Sequence, residues 1–155
     1  MSRAFVKDDD GGIGYEDLPD RLISGHANLV TPEGLLQIES EADRLSMDYA
    51  SAQAAADKIA LQRTARELRY WTARRATAEV QPLPVADGTV HFGSTVAIER
   101  EDGRRQTFRI VGEDEANPAE GTLSYVSPLA QALIGKREGD EVRVGASGAG
   151  IVTIA

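Results

Sequence analysis

Between Thr31 and Gln81 apolar residues return at alternating three- and four-residue spacing. Leu35, Ile38, Ala42, Leu45, Tyr49 and Ala52 fall on one helical face. Leu61, Thr64, Leu68, Trp71 and Ala78 continue such a seam, with Lys58, Arg63, Arg66, Arg69, Arg74 and Arg75 mostly around it. Two apolar stripes of this kind bury each other by pairing, which predicts an antiparallel helical hairpin, a coiled coil, over residues 29–80. Thr31 suits the N-cap, Pro32 the first helical position and Glu33 the positive helix end. No glycine or proline interrupts Leu35 to Gln81. The turn is therefore placed by symmetry at Ala54 to Lys58, around Asp57, and one continuous helix of about fifty residues is the alternative.

From about Val85 the period changes to that of a strand. Thr89 to Arg100 is rich in β-branched residues, Asp102-Gly103 signals a hairpin turn, and Gln106 to Val111 returns as its partner. Gly121 to Val126 predicts a third strand leading into a short helix, Pro128 to Ile134, opened by Ser127 and closed by Gly135. Glu141 to Val144 and Ile151 to Ile154 finish the sheet, with Gly145 to Gly150 as a hairpin turn between them. Residues 81–155 thus form a second domain, and the whole chain is α+β: a helical hairpin followed by a twisted, mostly antiparallel β-sheet carrying one short helix.

Residues 1–28 read as an acidic, flexible tail. Asp8, Asp9, Asp10, Glu16, Asp17 and Asp20 alternate with Gly11, Gly12, Gly14 and Pro19, and too few apolar residues stand among them to offset ordering entropy. The sharper alternative docks Phe5, Val6, Ile13, Tyr15 and Leu18 on a partner or back on this chain. The net charge of −8 argues against tight binding to nucleic acid through phosphates, which needs a dominant basic face. The absence of cysteine excludes disulfides and thiolate metal sites. No long apolar run or signal segment is present, so a cytoplasmic protein without membrane contact is expected, and a monomer.

Enzyme chemistry finds little support. There is no Gly-x-Ser-x-Gly elbow and no phosphate loop, and the two histidines, His26 and His91, fall in the tail and in a strand. Phe92, Phe108 and Tyr125 are too few aromatics to imply a proline pocket. Neither an enzyme nor a bound cofactor is expected.

Four strings carry a resemblance. Asn28-Leu29-Val30-Thr31-Pro32-Glu33-Gly34, Val90-His91-Phe92-Gly93-Ser94-Thr95-Val96, Ile110-Val111-Gly112-Glu113-Asp114-Glu115-Ala116 with Ser127-Pro128-Leu129-Ala130-Gln131-Ala132-Leu133-Ile134-Gly135, and Gly139-Asp140-Glu141-Val142 stand in the order found in the GreA/GreB transcription elongation factors. The chain resembles that family over most of residues 28 to 155. The resemblance implies an FK506-binding-protein-like (FKBP-like) C-terminal domain that docks on bacterial RNA polymerase beside its secondary channel. Nucleic acid would be met only indirectly, within the transcription complex. Carried over by residue, the polymerase contacts are Ser127, Pro128 and Leu129, with Gly112, Glu113, Asp114 and Glu115. An exposed helix start offers N–H donors, and an acidic turn offers charge to a basic partner. Their plainer reading is a helix cap and core packing.

The chain departs from the family at the hairpin tip. The acidic string Gly-Asp-x-x-Glu-Asn-Ala-x-Tyr, whose carboxylates help hold a catalytic magnesium of the polymerase, is missing. The hairpin is shorter by roughly nine residues per arm, on the order of 13 Å of reach. Asp48 and Asp57 are the remaining tip acids; they read either as a displaced magnesium-assisting pair or as ordinary helix carboxylates, Asp57 as a second N-cap. The basic residues of the second helix read as a solvated face paired with Glu39, Glu41 and Asp43, or as a contact for acidic channel walls or RNA. Three functions remain open: a noncleaving polymerase regulator, a factor that still stimulates transcript cleavage, and an interaction module regulating a nucleotide-metabolising enzyme.

Overall fold

In the computed structural model, residues 18–144 and 151–154 are described. Phe5, Val6, Ile13 and Tyr15, and the turn expected at Gly145 to Gly150, lie outside them. At Thr31 extended backbone turns into helix, and the Thr31 hydroxyl accepts the Gly34 N–H at 3.0 Å. Helix α1 then runs Pro32–Ala54, and helix α2 runs Lys58–Thr77. Their 23 and 20 residues span about 35 and 30 Å. Ile38, Ala42, Leu45 and Ala52 of α1 are buried against α2, whose Leu61, Thr64, Leu68 and Trp71 are half-buried. The apolar spacing therefore does its work by pairing the two helices, and the continuous helix is ruled out.

Three residues make the reversal without glycine. The Asp57 N–H donates to the Ala52 carbonyl at 3.0 Å and the Ala56 N–H to Gln53 at 3.2 Å, the bonding pattern of a Schellman motif. That motif places its penultimate residue in left-handed backbone, and Ala56 occupies it at φ 50°. Asp57 closes α1 and also opens α2, its carboxylate accepting the Ala60 N–H at 3.1 Å. At the other end, two-residue strands β1 (Leu29–Val30) and β2 (Glu79–Val80) pair in parallel and bring the hairpin's termini together.

The second unit is a five-stranded sheet. Strands β3 (Thr95–Arg100), β4 (Arg105–Val111), β5 (Thr122–Ser124), β6 (Glu141–Arg143) and β7 (Ile151–Ile154) lie in the order β5-β4-β3-β7-β6. Only the β4–β5 pairing is parallel. Gly103, at φ 83°, makes the tight β3–β4 turn. Helix α3 (Pro128–Leu133) covers the sheet, and Ala130 and Leu133 join Val96, Ile98, Phe108, Ile110, Leu123, Val142 and Ile154 in one core.

Two expectations need correction. The strand expected from Thr89 begins only at Thr95, because Gly93 takes φ 85° and bends the chain. Before the bend, Val90 is bonded outside the sheet to Lys136 and Gly135, and Thr89 forms an isolated bridge with Arg137. Residues 19–21, grouped with the tail on composition, are strapped to the hairpin. The Pro19 carbonyl accepts from Arg66 Nε at 2.7 Å, Asp20 pairs with Arg69 at 2.7 Å and Arg21 with Glu67 at 2.8 Å. The Arg21 guanidinium also stacks 3.7 Å above the Tyr70 ring. Partners on α2, invisible to local composition, compensate the ordering entropy.

Candidate functional site

The acidic turn after β4 faces inward. Arg74, on the last turn of α2, is 2% exposed and donates from Nε to Asp114 Oδ2 at 2.6 Å. Its terminal nitrogen lies 3.4 Å from Glu113. The Tyr70 hydroxyl donates to the other Asp114 oxygen. Burial, and next the Asp114 carboxylate, push the Tyr70 hydroxyl up to about 12. Asn28 completes the cluster by donating to the Arg74 carbonyl at 2.8 Å.

Glu115 makes a second bond across the same boundary. Its carboxylate accepts the Thr31 N–H and the Gly112 N–H, both at 3.0 Å, and the Thr31 hydroxyl. A carboxylate at this place also complements the positive amino end of α1. It fits because two neighbours are glycines: a Cβ on Gly34 would overlap the Glu115 side chain, and one on Gly112 would strike the Leu29 carbonyl. Gly112, Glu113, Asp114 and Glu115, expected to offer charge to a partner, thus hold the hairpin to the sheet domain. Arg74, read with the solvated basic residues, is the most deeply buried cation of that set. Sequence reasoning missed these pairings; the one available signal was Gly34, an unfavourable residue inside an otherwise good helix.

Ser127, Pro128 and Leu129 stand apart from this cluster. The Ser127 hydroxyl accepts the Ala130 N–H at 3.3 Å, Pro128 is exposed, and Leu129 packs on the core. The plainer reading accounts for Ser127 and Leu129, and Pro128 is the surface residue of the three.

At the hairpin tip the two acids line one shallow cleft, but each is engaged by its own partner. Asp57 caps α2, whereas Asp48 lies six residues before the end of α1, about 9 Å along the axis. Asp48 is paired with Arg44 at 2.9 Å, and Arg44 also holds Glu41 at 2.7 Å. Of the expected links from the basic face of α2 to α1, Arg75 to Asp43 is present at 3.9 Å, while Arg66 and Arg69 hold the strap. Among the described residues no cluster of three or more histidine and carboxylate side chains could hold a metal ion. No described helix is long and apolar enough to cross a membrane.

Comparisons with known proteins bear on the whole arrangement. Residues 85–154 match the family model described as transcription elongation factor, GreA/GreB, C-term. Transcription elongation factor GreB of Neisseria meningitidis serogroup B is 47% identical over 79 residues, covering 50% of this chain and 48% of that protein. The chain thus spans about half the length of some curated relatives it matches. GreB of Haemophilus influenzae is 34% identical over 137 residues, covering 76% of this chain and 87% of the relative. The solved structure of GreA factor homolog 1 of Thermus thermophilus aligns over 84% of this chain and 97% of its own, at 22% identity and a TM-score of 0.39. The match to the Haemophilus protein covers more of the chain than the sheet domain alone, and this chain belongs to the GreA/GreB family.

Proposed function

We propose that this chain is a noncleaving Gre-type regulator of bacterial RNA polymerase, acting in the cytoplasm. Its sheet domain docks beside the secondary channel, with Pro128 and its neighbours Ser127 and Leu129 at the contact. Its hairpin then occupies or shadows the channel, competes with cleavage factors and alters pausing or initiation. The chain is not itself a catalyst and needs no cofactor, since the magnesium chemistry belongs to the polymerase.

The observation that carries the noncleaving reading is the tip. A carboxylate has to come within about 2.0–2.1 Å of magnesium to ligate it, and so has to be free of other partners. Asp57 is engaged as a helix cap and Asp48 is paired with Arg44 well below the turn. Glu113, Asp114 and Glu115 leave the docking proposal, because Arg74 pairs with the first two and the Thr31 and Gly112 N–H groups hold the third. In this reading they set the angle at which the hairpin projects.

The test is RNA cleavage in a stalled, backtracked elongation complex, run beside competition with an authentic cleavage factor. Competition without cleavage supports the proposal. Cleavage that is accelerated, and lost in the Asp48→Ala/Asp57→Ala variant, overturns it in favour of a cleavage factor. Failure to bind core polymerase removes the transcription reading and leaves an interaction module elsewhere. A folded Ser127→Ala/Pro128→Ala variant that binds polymerase as well as the parent would remove the docking contact.

A further inference from the structure

Hairpin and sheet domain are joined by residues 81–88, and this linker is apolar at its surface. Leu83 and Val85 are 78% and 72% exposed, and Val80, just ahead of them, 45%. Exposed apolar residues scattered singly are ordinary, whereas three within six residues form a patch. The patch is also stiff. Pro82 and Pro84 fix their own backbone and hold the residues before them, Gln81 and Leu83, to extended forms. Pro84 packs on Gly93, where a Cβ would come within 3.3 Å of the proline ring. An apolar surface held in one shape loses little conformational entropy when a partner covers it.

Pro82, Leu83, Pro84, Val85 and Phe92 line a cleft of about 370 Å³. The polar groups at its edge are already engaged. The Asp87 carboxylate accepts the Thr89 N–H at 2.8 Å and lies 3.0 Å from His91 Nε2, and the Gln81 side-chain amide donates to the Glu79 carbonyl at 3.2 Å. What stays open to an occupant is hydrocarbon, which fits aliphatic side chains better than a charged group.

Contacts run from this patch to the part of the sheet domain that carries Pro128. Pro84 touches Gly93; Phe92, next to it, packs edge-on against Tyr125 with ring centres 5.6 Å apart; and Tyr125 stands two residues before Ser127. The linker is also where the hairpin leaves the sheet domain, so a partner that grips both units has to bridge it.

We propose that Leu83 and Val85 form a second, apolar docking contact, continuous with the one at Pro128, which takes aliphatic side chains of the same polymerase surface. The inference rests on the polymerase reading and gives that interface an uncharged half.

The test is binding of the full-length protein to immobilised core polymerase. Leu83→Ser/Val85→Ser, changed only at exposed positions, should keep its helix content by circular dichroism and bind about tenfold more weakly than the parent. Leu83→Met/Val85→Ile keeps the hydrocarbon and should bind as the parent does. If the first variant binds as well as the parent, the inference is overturned and the polymerase reading stands. Equal weakening in the two variants overturns the aliphatic contact. A parent that does not bind core polymerase removes the inference and the polymerase reading together. Sedimentation velocity addresses the other occupant: a parent dimer that becomes a monomer in the first variant would assign the patch to a second copy of this chain and overturn the proposal.

Discussion

Arg74 and Asp114 meet across the boundary between the hairpin and the sheet domain, 2.6 Å apart, with side chains only 2% and 8% exposed. Removing one partner of a buried pair leaves the other charged and dry, which typically costs about 3–5 kcal/mol. Asp114→Ala should therefore lower unfolding stability by about that amount in urea titrations, since it also strands the Tyr70 hydroxyl. Replacing both charges at once, as Arg74→Met/Asp114→Leu, should recover a large part of the loss. A loss below about 1 kcal/mol in Asp114→Ala would show that the pair is open to water in solution.

Gly34 and Glu115 predict a reversal of sign. In an open helix Gly→Ala stabilises by up to about 1 kcal/mol. Here the new methyl group would expel the Glu115 carboxylate from Thr31 and Gly112, so Gly34→Ala should destabilise by about 1–3 kcal/mol. In a Glu115→Ala background the same change should become neutral or stabilising. A double-mutant cycle by chemical denaturation measures the coupling, and additive effects would refute the contact.

At the tip, Ala56 holds a left-handed conformation that glycine adopts without steric cost. Ala56→Gly should raise stability by about 0.5–1 kcal/mol, the relief of strain exceeding the entropy glycine adds to the unfolded chain. Asp57→Ala should lower it by about 1 kcal/mol through loss of the α2 cap, while Asp48→Ala stays within about 0.5 kcal/mol. Thermal melts of the three variants rank these effects, and an unchanged melt for Asp57→Ala would separate the carboxylate from the cap.

Tyr70 supplies a pH dependence. Unfolded tyrosine loses its proton near 10, whereas burial and the Asp114 carboxylate hold the native Tyr70 hydroxyl to about 12. Between those values the native state binds more protons than the unfolded state. The stability tied to this proton is complete below pH 10 and is lost as pH rises through about 12. A spectrophotometric tyrosinate titration should show a late step that vanishes in Tyr70→Phe. A step already complete near 10 would mean the hydroxyl is solvated.

Much of the architecture was legible from local pattern. Leu35, Ile38, Ala42 and Leu45 repeat at the period of a helix, Thr31 and Ser127 sit where caps are needed, and Asp102-Gly103 stands between two runs of strand-forming residues. Each of those signals lies within a few residues of the structure it causes. The candidate site was less legible. Glu113, Asp114 and Glu115 read as exposed acid because their partners lie far off in the chain, and Arg74 read as one more cation of a solvated stripe.

The sequence by itself determined the two helices, the place where they reverse, most of the strands, the short helix opened by Ser127 and the family. Those properties follow from side-chain periodicity, caps and turn residues, which act over one or two turns of chain. Only the tertiary structure decided which charges face water. Asp114 meets Arg74 across 40 positions and Glu115 meets Thr31 across 84, and the strap at Asp20 finds Arg69 across 49. A carboxylate pairs with whichever cation or helix end docking brings within hydrogen-bond reach. That choice belongs to the packing of two preformed units, for which no short-range pattern in the chain supplies a register.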